Sequence, residues 1–451
     1  MSSANKKNDL LSQPIAPTLK RMTVPMVMGM IALMSFNLID TFFIGLIGTD
    51  ELAAISFTFP ITFTVISLTI GLSIGTSAVI AKSLGGGNQE IAKTQGISAI
   101  LLSIILVISL ALIGYATIEP LFSLLGSEAN TMPFIKQYMQ IWYLGAVFLV
   151  LPMIGNAILR ASGDTKTPGS IMALGGLINA ILDPILIFGF GPIEAMGIEG
   201  AAIASLISWI ITSSTILYLL AVKRGLISFK VKSWSDIKIS SLSIVKIGLP
   251  AAGANMLTPI AMAILTAIIA QYGHEAVAAF GVGQRLESIA CIVILALSMT
   301  LPPFISQNYG AEQVDRVVQA YEISIKFVLV WQFGIYLLLA VLAPYIAILF
   351  SSETEVQSLI KLFIWTLPLS YGCQGIIILT NSAFNALHKP LTALHLSIAR
   401  LFIFYVPFAY IGGEIYGVTG LFIGCVIANF CMATASFYRF RKQVQQCGAA
   451  S

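Results

Sequence analysis

Stretches of about 20 or more consecutive, mostly apolar residues recur along this chain. They fall near 17–46, 52–80, 94–117, 132–158, 168–190, 196–222, 242–272, 276–307, 317–350, 356–386, 390–413 and 416–438. A segment this long and this apolar matches a helix crossing a hydrocarbon layer ~30 Å thick. A membrane β-barrel would instead alternate apolar and polar residues in segments of about 10. Runs such as Leu101–Ile113 do not alternate. Only 10% of the residues are charged and 57% are hydrophobic, against about 25% charged in an ordinary soluble domain. The mean hydropathy is +0.92. The expected fold class is an all-α integral membrane protein with twelve transmembrane helices, numbered here as spans 1 to 12, in a lipid bilayer.

Charge sets the orientation. Of the 24 Lys and Arg, 20 lie at the N-terminus, in or beside the loops after even-numbered spans, and in the C-terminal tail. The connection after span 6 and its edges hold Lys223, Arg224, Lys230, Lys232, Lys238 and Lys246. The opposite side has Lys136 and Lys361, and Arg285 and Arg400 lie within spans. Basic loops stay on the cytoplasmic side, so both termini are expected there, in a plasma (inner) membrane. The first sixteen residues are mostly polar and have no signal-peptide pattern. The net charge of +4 follows from the loop bias and gives no reason to expect a nucleic-acid partner. Cys291, Cys373, Cys425 and Cys431 lie in spans and Cys447 in the tail, so no disulfide framework is indicated. No Cys/His spacing suggests a metal site.

The chain repeats itself at an offset of 225 residues. Pro25 matches Pro250, Gly48 matches Gly273, and Asp50 matches Glu275. Ala53 and Ala54 match Ala278 and Ala279, Gly85 matches Gly310, Glu128 matches Glu353, and Asn156 matches Asn381. Each half holds six spans, so the halves are parallel repeats about an axis along the membrane normal. Transporters commonly bind substrate between such halves and alternate access by rocking. The expected organisation is a tail at 1–16, an N-lobe at 17–222, a cytoplasmic linker at 223–241, a C-lobe at 242–438 and a tail at 439–451.

One residue breaks the apolar pattern of span 1. Between Arg21 and Asp50, Asp40 is the only charged residue. An ionised, unpaired carboxylate at that depth costs several kcal/mol, and the default reading is an ion or proton site. In span 5, Asn179 and Asp183 are four residues apart and share a helix face. Pro184 follows at once and frees a carbonyl one turn back. Pro25 does the same early in span 1, where a bend is expected.

Several motifs occur in order. Asn37-Leu-Ile-Asp40-Thr-Phe-Phe-Ile-Gly45 is followed by Glu51-Leu-Ala-Ala54, Pro60 and Ala81-Lys-Ser-Leu-Gly-Gly-Gly-Asn-Gln-Glu90. Then come Arg160-Ala-Ser-Gly-Asp-Thr-Lys-Thr-Pro168, Asn179-Ala-Ile-Leu-Asp-Pro184 and Gly197-Ile-Glu-Gly-Ala-Ala202. Over nearly its whole length the chain resembles the multidrug and toxic compound extrusion (MATE) family, most closely the DinF-type branch. The resemblance implies two six-helix lobes and export of small organic, often cationic, compounds against inward H⁺ or Na⁺. The NorM-type branch is known for extra carboxylates in spans 7 and 10. Those spans contain no Asp or Glu here, so ion coupling is expected in the N-lobe alone.

On this reading Asp40, Asn179 and Asp183 converge inside the N-lobe, with Asn156 nearby and Ser205 of span 6 as a weaker member. The bland alternative is helix–helix hydrogen bonding. Two acids close together in a buried place can share a proton; the same oxygens suit Na⁺, a hard cation. H⁺ is the expected coupling ion and Na⁺ the alternative, with no other cofactor and a monomeric protein. Met22, Met26, Met30 and Met34 recur every four residues in span 1. Met adapts to varied ligands, so Met26, Met30, Met34, Phe36, Met153 and Met172 are substrate-cavity candidates, though a packed helix carries the same stripe. Arg285 and Glu287, two apart in span 8, point to different faces and read first as structural. Arg400 in span 11 reads as a structural partner or a snorkelling side chain. Gly85-Gly86-Gly87 lacks the Lys-Ser/Thr ending of a phosphate loop. Together with the absence of an ATPase-sized polar segment, this points to secondary transport. Nothing suggests an enzyme. The runner-up reading is a flippase for lipid-linked sugars from the same superfamily.

Overall fold

The structure, a computed structural model, describes residues 9–127, 130–228 and 233–448. Residues 1–8 of the expected tail, Glu128 of the repeat, and Lys230 and Lys232 of the expected linker lie outside them. Among the described residues, eleven helices are long and apolar enough to cross a membrane. The last, Pro390–Gln446, has 57 residues. At ~1.5 Å per residue it is far longer than one crossing needs, and it breaks at Tyr416 and Gly417, where φ is −136° and 61°. It therefore supplies spans 11 and 12, and the protein is an all-α membrane protein with twelve crossings.

The chain divides into two compact units. One is Arg21–Ala252; the other is Gly253–Ser451 together with the segment up to Lys20. The division falls inside helix Trp234–Ala270 because Ile244 and Ile247, near its start, belong to the first unit's core. That core is built from Phe122, Met139, Trp142, Tyr143, Ile154 and Ile158 with apolar residues of spans 2, 3 and 6. Side chains such as Ile105, Leu112, Val330 and Val341 remain exposed. Exposed apolar flanks suit a lipid surface, and helices satisfy the backbone where no water is present.

Several elements differ from the pattern read off hydropathy. Span 8 is two helices, His274–Ala290 and Ile292–Gly310, broken at Cys291. Gln332 Nε2 donates to Ala290 O at 3.0 Å, which satisfies a carbonyl beside the break. Span 10 is interrupted by a 3₁₀ turn at Leu367–Ser370. Span 11 passes through a π-helical stretch at Ala399–Tyr405. The tail expected at 439–451 continues as helix to Gly448. There Phe440 and Val444, one turn apart, are buried, and Arg441 pairs with Glu322 at 2.5 Å. From Asp9 onward the expected N-terminal tail is also structured. A short helix, Asp9–Ser12, precedes span 1. Asn308 Nδ2 donates to Leu10 O at 3.1 Å. Arg316 donates to Leu10 O at 3.2 Å and to Gln13 O at 2.8 Å.

Candidate functional site

Spans 1 and 5, helices Ile15–Ile47 and Lys166–Phe188, pack along a parallel seam in the first unit. The seam starts where two glycines let the backbones touch. A Cβ on Gly29 would lie 2.7 Å from Gly169 Cα, closer than any side chain allows. Seven residues on, or two turns, the Phe36 ring occupies the space above Gly176. At the far end Ile44 and Ile187 pack together with Ala201 of span 6, and the Phe43 and Phe188 rings meet edge-on at 6.2 Å. Intervals of seven and eight residues on span 1, and of seven and eleven on span 5, are close to whole helical turns and keep one face of each helix toward the other. Asp40 and Asp183 lie on that face between the second and third contacts.

The side chains at this level form one connected group. Asp183 is fully buried, and its Oδ1 accepts from Asn179 Nδ2 at 3.1 Å. Asn179 Nδ2 also reaches Ser205 Oγ on span 6 at 3.3 Å. Ser208, one turn further along span 6, donates to Gly175 O at 2.7 Å and holds the two helices in register. The Asp40 carboxyl comes into hydrogen-bond contact with that of Asp183. Among the described residues, no hydrogen bond reaches Asp183 Oδ2. An ionised carboxylate only accepts hydrogen bonds. Two carboxylates facing each other therefore have no donor between them. The contact needs either a proton on one of them or a cation between their oxygens. The oxygens of Asp40, Asp183 and Ser205 are the hard donor type that such a cation takes.

Asp40, Asn179, Asp183 and Ser205 are thus brought together. Asn156 of span 4 is buried with its Oδ1 unpartnered; no hydrogen bond among the described residues joins it to the two acids. Tyr138 of span 4 lies within electrostatic reach of both Asp40 and Asp183, and sequence reasoning did not single it out. A lone Tyr in an apolar span carries no spacing signal. Of the substrate-cavity candidates, Met30, Met34, Phe36, Met153 and Met172 are half-buried. Met26 has no accessible surface and packs inside the protein, so it is not a cavity wall in this conformation. Phe36 is committed to packing on Gly176.

A family model described as MatE matches residues 25–185 and again 250–411. The two matches start 225 residues apart, the offset of the internal repeat. A protein of Shewanella oneidensis named "FAD transporter" is 43% identical, with 96% of each chain covered. "Probable multidrug resistance protein YoeA" of Bacillus subtilis is 27% identical, covering 81% of this chain and 80% of that one. Among solved structures, the Vibrio cholerae MATE transporter VcmN in the bent form superposes with a TM-score of 0.91 at 36% identity, with 98% of each chain covered.

Proposed function

The chain belongs to the MatE family of membrane transporters, and on that premise we propose that it is a secondary active exporter coupled to inward ion flow through the Asp40–Asp183 pair. It is a transporter of small organic compounds and not an enzyme. The observation that carries the coupling is the carboxyl–carboxyl contact with Asp183 Oδ2 otherwise unpartnered. Such a pair holds one cationic charge well and loses it at a cost. Binding H⁺ or Na⁺ neutralises it, and release leaves two like charges facing across the seam of spans 1 and 5. That repulsion supplies a force on span 1, whose hydrogen-bond ladder is already interrupted at Pro25. H⁺ is the proposed coupling ion, because a proton on one carboxyl makes it the donor that a direct contact between the two requires. The protein works as a monomer in the plasma (inner) membrane, with both termini cytoplasmic.

The proposed substrate is a flavin nucleotide of the kind named for the relative that is 43% identical. Cationic drugs are the second reading. They are favoured by the relatives named for multidrug resistance or export, at 24–27% identity, and by half-buried Met30 and Met34 on span 1. The test is uptake of FAD and of ethidium into proteoliposomes under separate pH and Na⁺ gradients. The reading expects a pH gradient to drive at least one probe. Transport unaffected by either gradient would refute it.

A further inference from the structure

The second unit holds a polar cluster that the ion-coupling reading does not use. Three interruptions of helical geometry meet around it. Span 8 breaks at Cys291, one turn after Glu287. Span 10 leaves its 3₁₀ turn at Ser370, directly before Tyr371 and one turn before Gln374. The π-helical stretch of span 11 contains both Arg400 and Tyr405. π-Bulges are frequent at functional sites, and broken membrane helices line binding sites in transporters.

The side chains on these interruptions face one another. Gln374 Nε2 donates to Glu287 Oε1 at 2.8 Å. Arg400 and Tyr405 are within electrostatic reach of Glu287. Yet no carboxylate among the described residues pairs with Arg400 within the 4.0 Å of an ion pair. Its Nε is buried and has no hydrogen-bond partner among the described residues. The same holds for the Tyr371 hydroxyl and for Gln284 Nε2, one turn before Glu287. Arg400 Nε and the Tyr371 hydroxyl are therefore unspent donors near Glu287, and Gln284 Nε2 is a third, one turn along the same helix. Glu287, Gln374 and Arg400 are all half-buried, so the cluster keeps some accessible surface. An unpaired guanidinium in a membrane span is expensive and marks function by default.

We propose that Arg400 is the anion-recognising residue of a substrate subsite in the second unit, taking a phosphate that is flanked by hydroxyl groups. The guanidinium fork matches phosphate oxygens in a way that a point charge does not. Tyr371 and Gln284 supply further donors. Glu287, held by Gln374, accepts from the hydroxyls next to the phosphate and disfavours a bare inorganic anion. A nucleotide, with phosphate and polyol side by side, has this pattern; a cationic drug does not. The inference deepens the flavin-nucleotide reading and rests on it for the substrate class.

The test is equilibrium dialysis of FAD and of riboflavin against the purified full-length protein in nanodiscs. The two probes share the isoalloxazine and the ribityl chain and differ by the pyrophosphate and its nucleoside. Wild type is expected to prefer FAD at least tenfold. Arg400→Gln removes most of that preference and leaves riboflavin binding within twofold. Arg400→Lys keeps the charge without the fork; it binds FAD severalfold more weakly than wild type and riboflavin equally well. The Lys variant decides the matter if the Gln variant is not monodisperse. Equal affinity of wild type for the two probes overturns the proposal. So does a loss common to both probes in the variants, which marks a structural role, or no loss for either. Ion coupling is read separately, by gradient-driven transport: normal transport by Asp40→Asn sinks the exporter mechanism without touching the subsite.

Discussion

Adding a single methyl group at Gly29 tests whether the seam between spans 1 and 5 positions the acids. In Gly29→Ala the new Cβ would lie 2.7 Å from Gly169 Cα and 2.8 Å from Gly169 O. Ordinary carbon–carbon contacts sit at about 3.5–4.0 Å, so the helices must separate by roughly 1 Å at that level. Both contact atoms belong to backbone, and no flexible side chain can swing aside. Overpacking of this kind costs ~1–3 kcal/mol. The displacement acts about 16 Å below Asp40 along the helix, at ~1.5 Å per residue. A change there loosens the contact between Asp40 and Asp183. Gly45→Ala is the control: it lies on the same helix, closer to Asp40, with nothing within 4 Å of the new Cβ. The assay is a thermal melt of purified protein paired with substrate export from vesicles. Gly29→Ala is expected to melt several degrees lower and to export severalfold more slowly, while Gly45→Ala matches wild type. If both alanine variants melt and export alike, the seam does not hold the site.

Other consequences follow from particular contacts. Asn179→Ala removes the donor to Asp183 Oδ1 and the link to Ser205; a buried acceptor left without a partner costs ~1–3 kcal/mol, and export in vesicles is expected to fall severalfold with the protein still inserted. Gln332→Leu strips the donor from Ala290 O at the break in span 8, and the melting temperature should drop by an amount matching a similar ~1–3 kcal/mol; an unchanged melt would show that the break satisfies itself. Arg316→Ala removes one of the two donors to Leu10 O and the donor to Gln13 O, so amides of residues 10–13 should exchange hydrogen faster while those of span 4 stay protected. Equal exchange before and after the substitution would show that the N-terminal helix is held by other means.

The crossing pattern and the meeting of the buried acids could be read from the chain because both rest on local rules. Twelve apolar lengths give twelve crossings, and Asn179 and Asp183 declare a shared face by their spacing of four. Asp40 declares itself by cost. The links that cross between helices were harder to read. Ser205 meets Asn179 across 26 residues of sequence, and Tyr138 reaches the acids from another span with no pattern to mark it. Packing set the remaining differences. Arg439 to Gln446 look like a polar tail by hydropathy, yet Arg, Lys and Gln are good helix formers, and Phe440 and Val444 anchor that stretch. The breaks at Cys291, Leu367–Ser370 and Ala399–Tyr405 have no glycine, and only Pro368 among them is a conventional breaker. Tertiary contacts hold the first two, where Gln332 donates to Ala290 O and Asn429 Nδ2 to Ser370 Oγ. Arg400 is plain in the sequence as a lone charge, but the groups around it come from spans 8 and 10 and carry no pattern that links them.

The central claim is that the Asp40–Asp183 pair carries the coupling ion. It is tested most directly by gradient-driven uptake of FAD and ethidium into proteoliposomes, comparing wild type with Asp40→Asn at equal protein insertion. The account predicts that an imposed pH gradient accelerates uptake by wild type and that Asp40→Asn falls to the level of protein-free liposomes for both probes. Gradient-driven uptake by Asp40→Asn at the wild-type rate would contradict it.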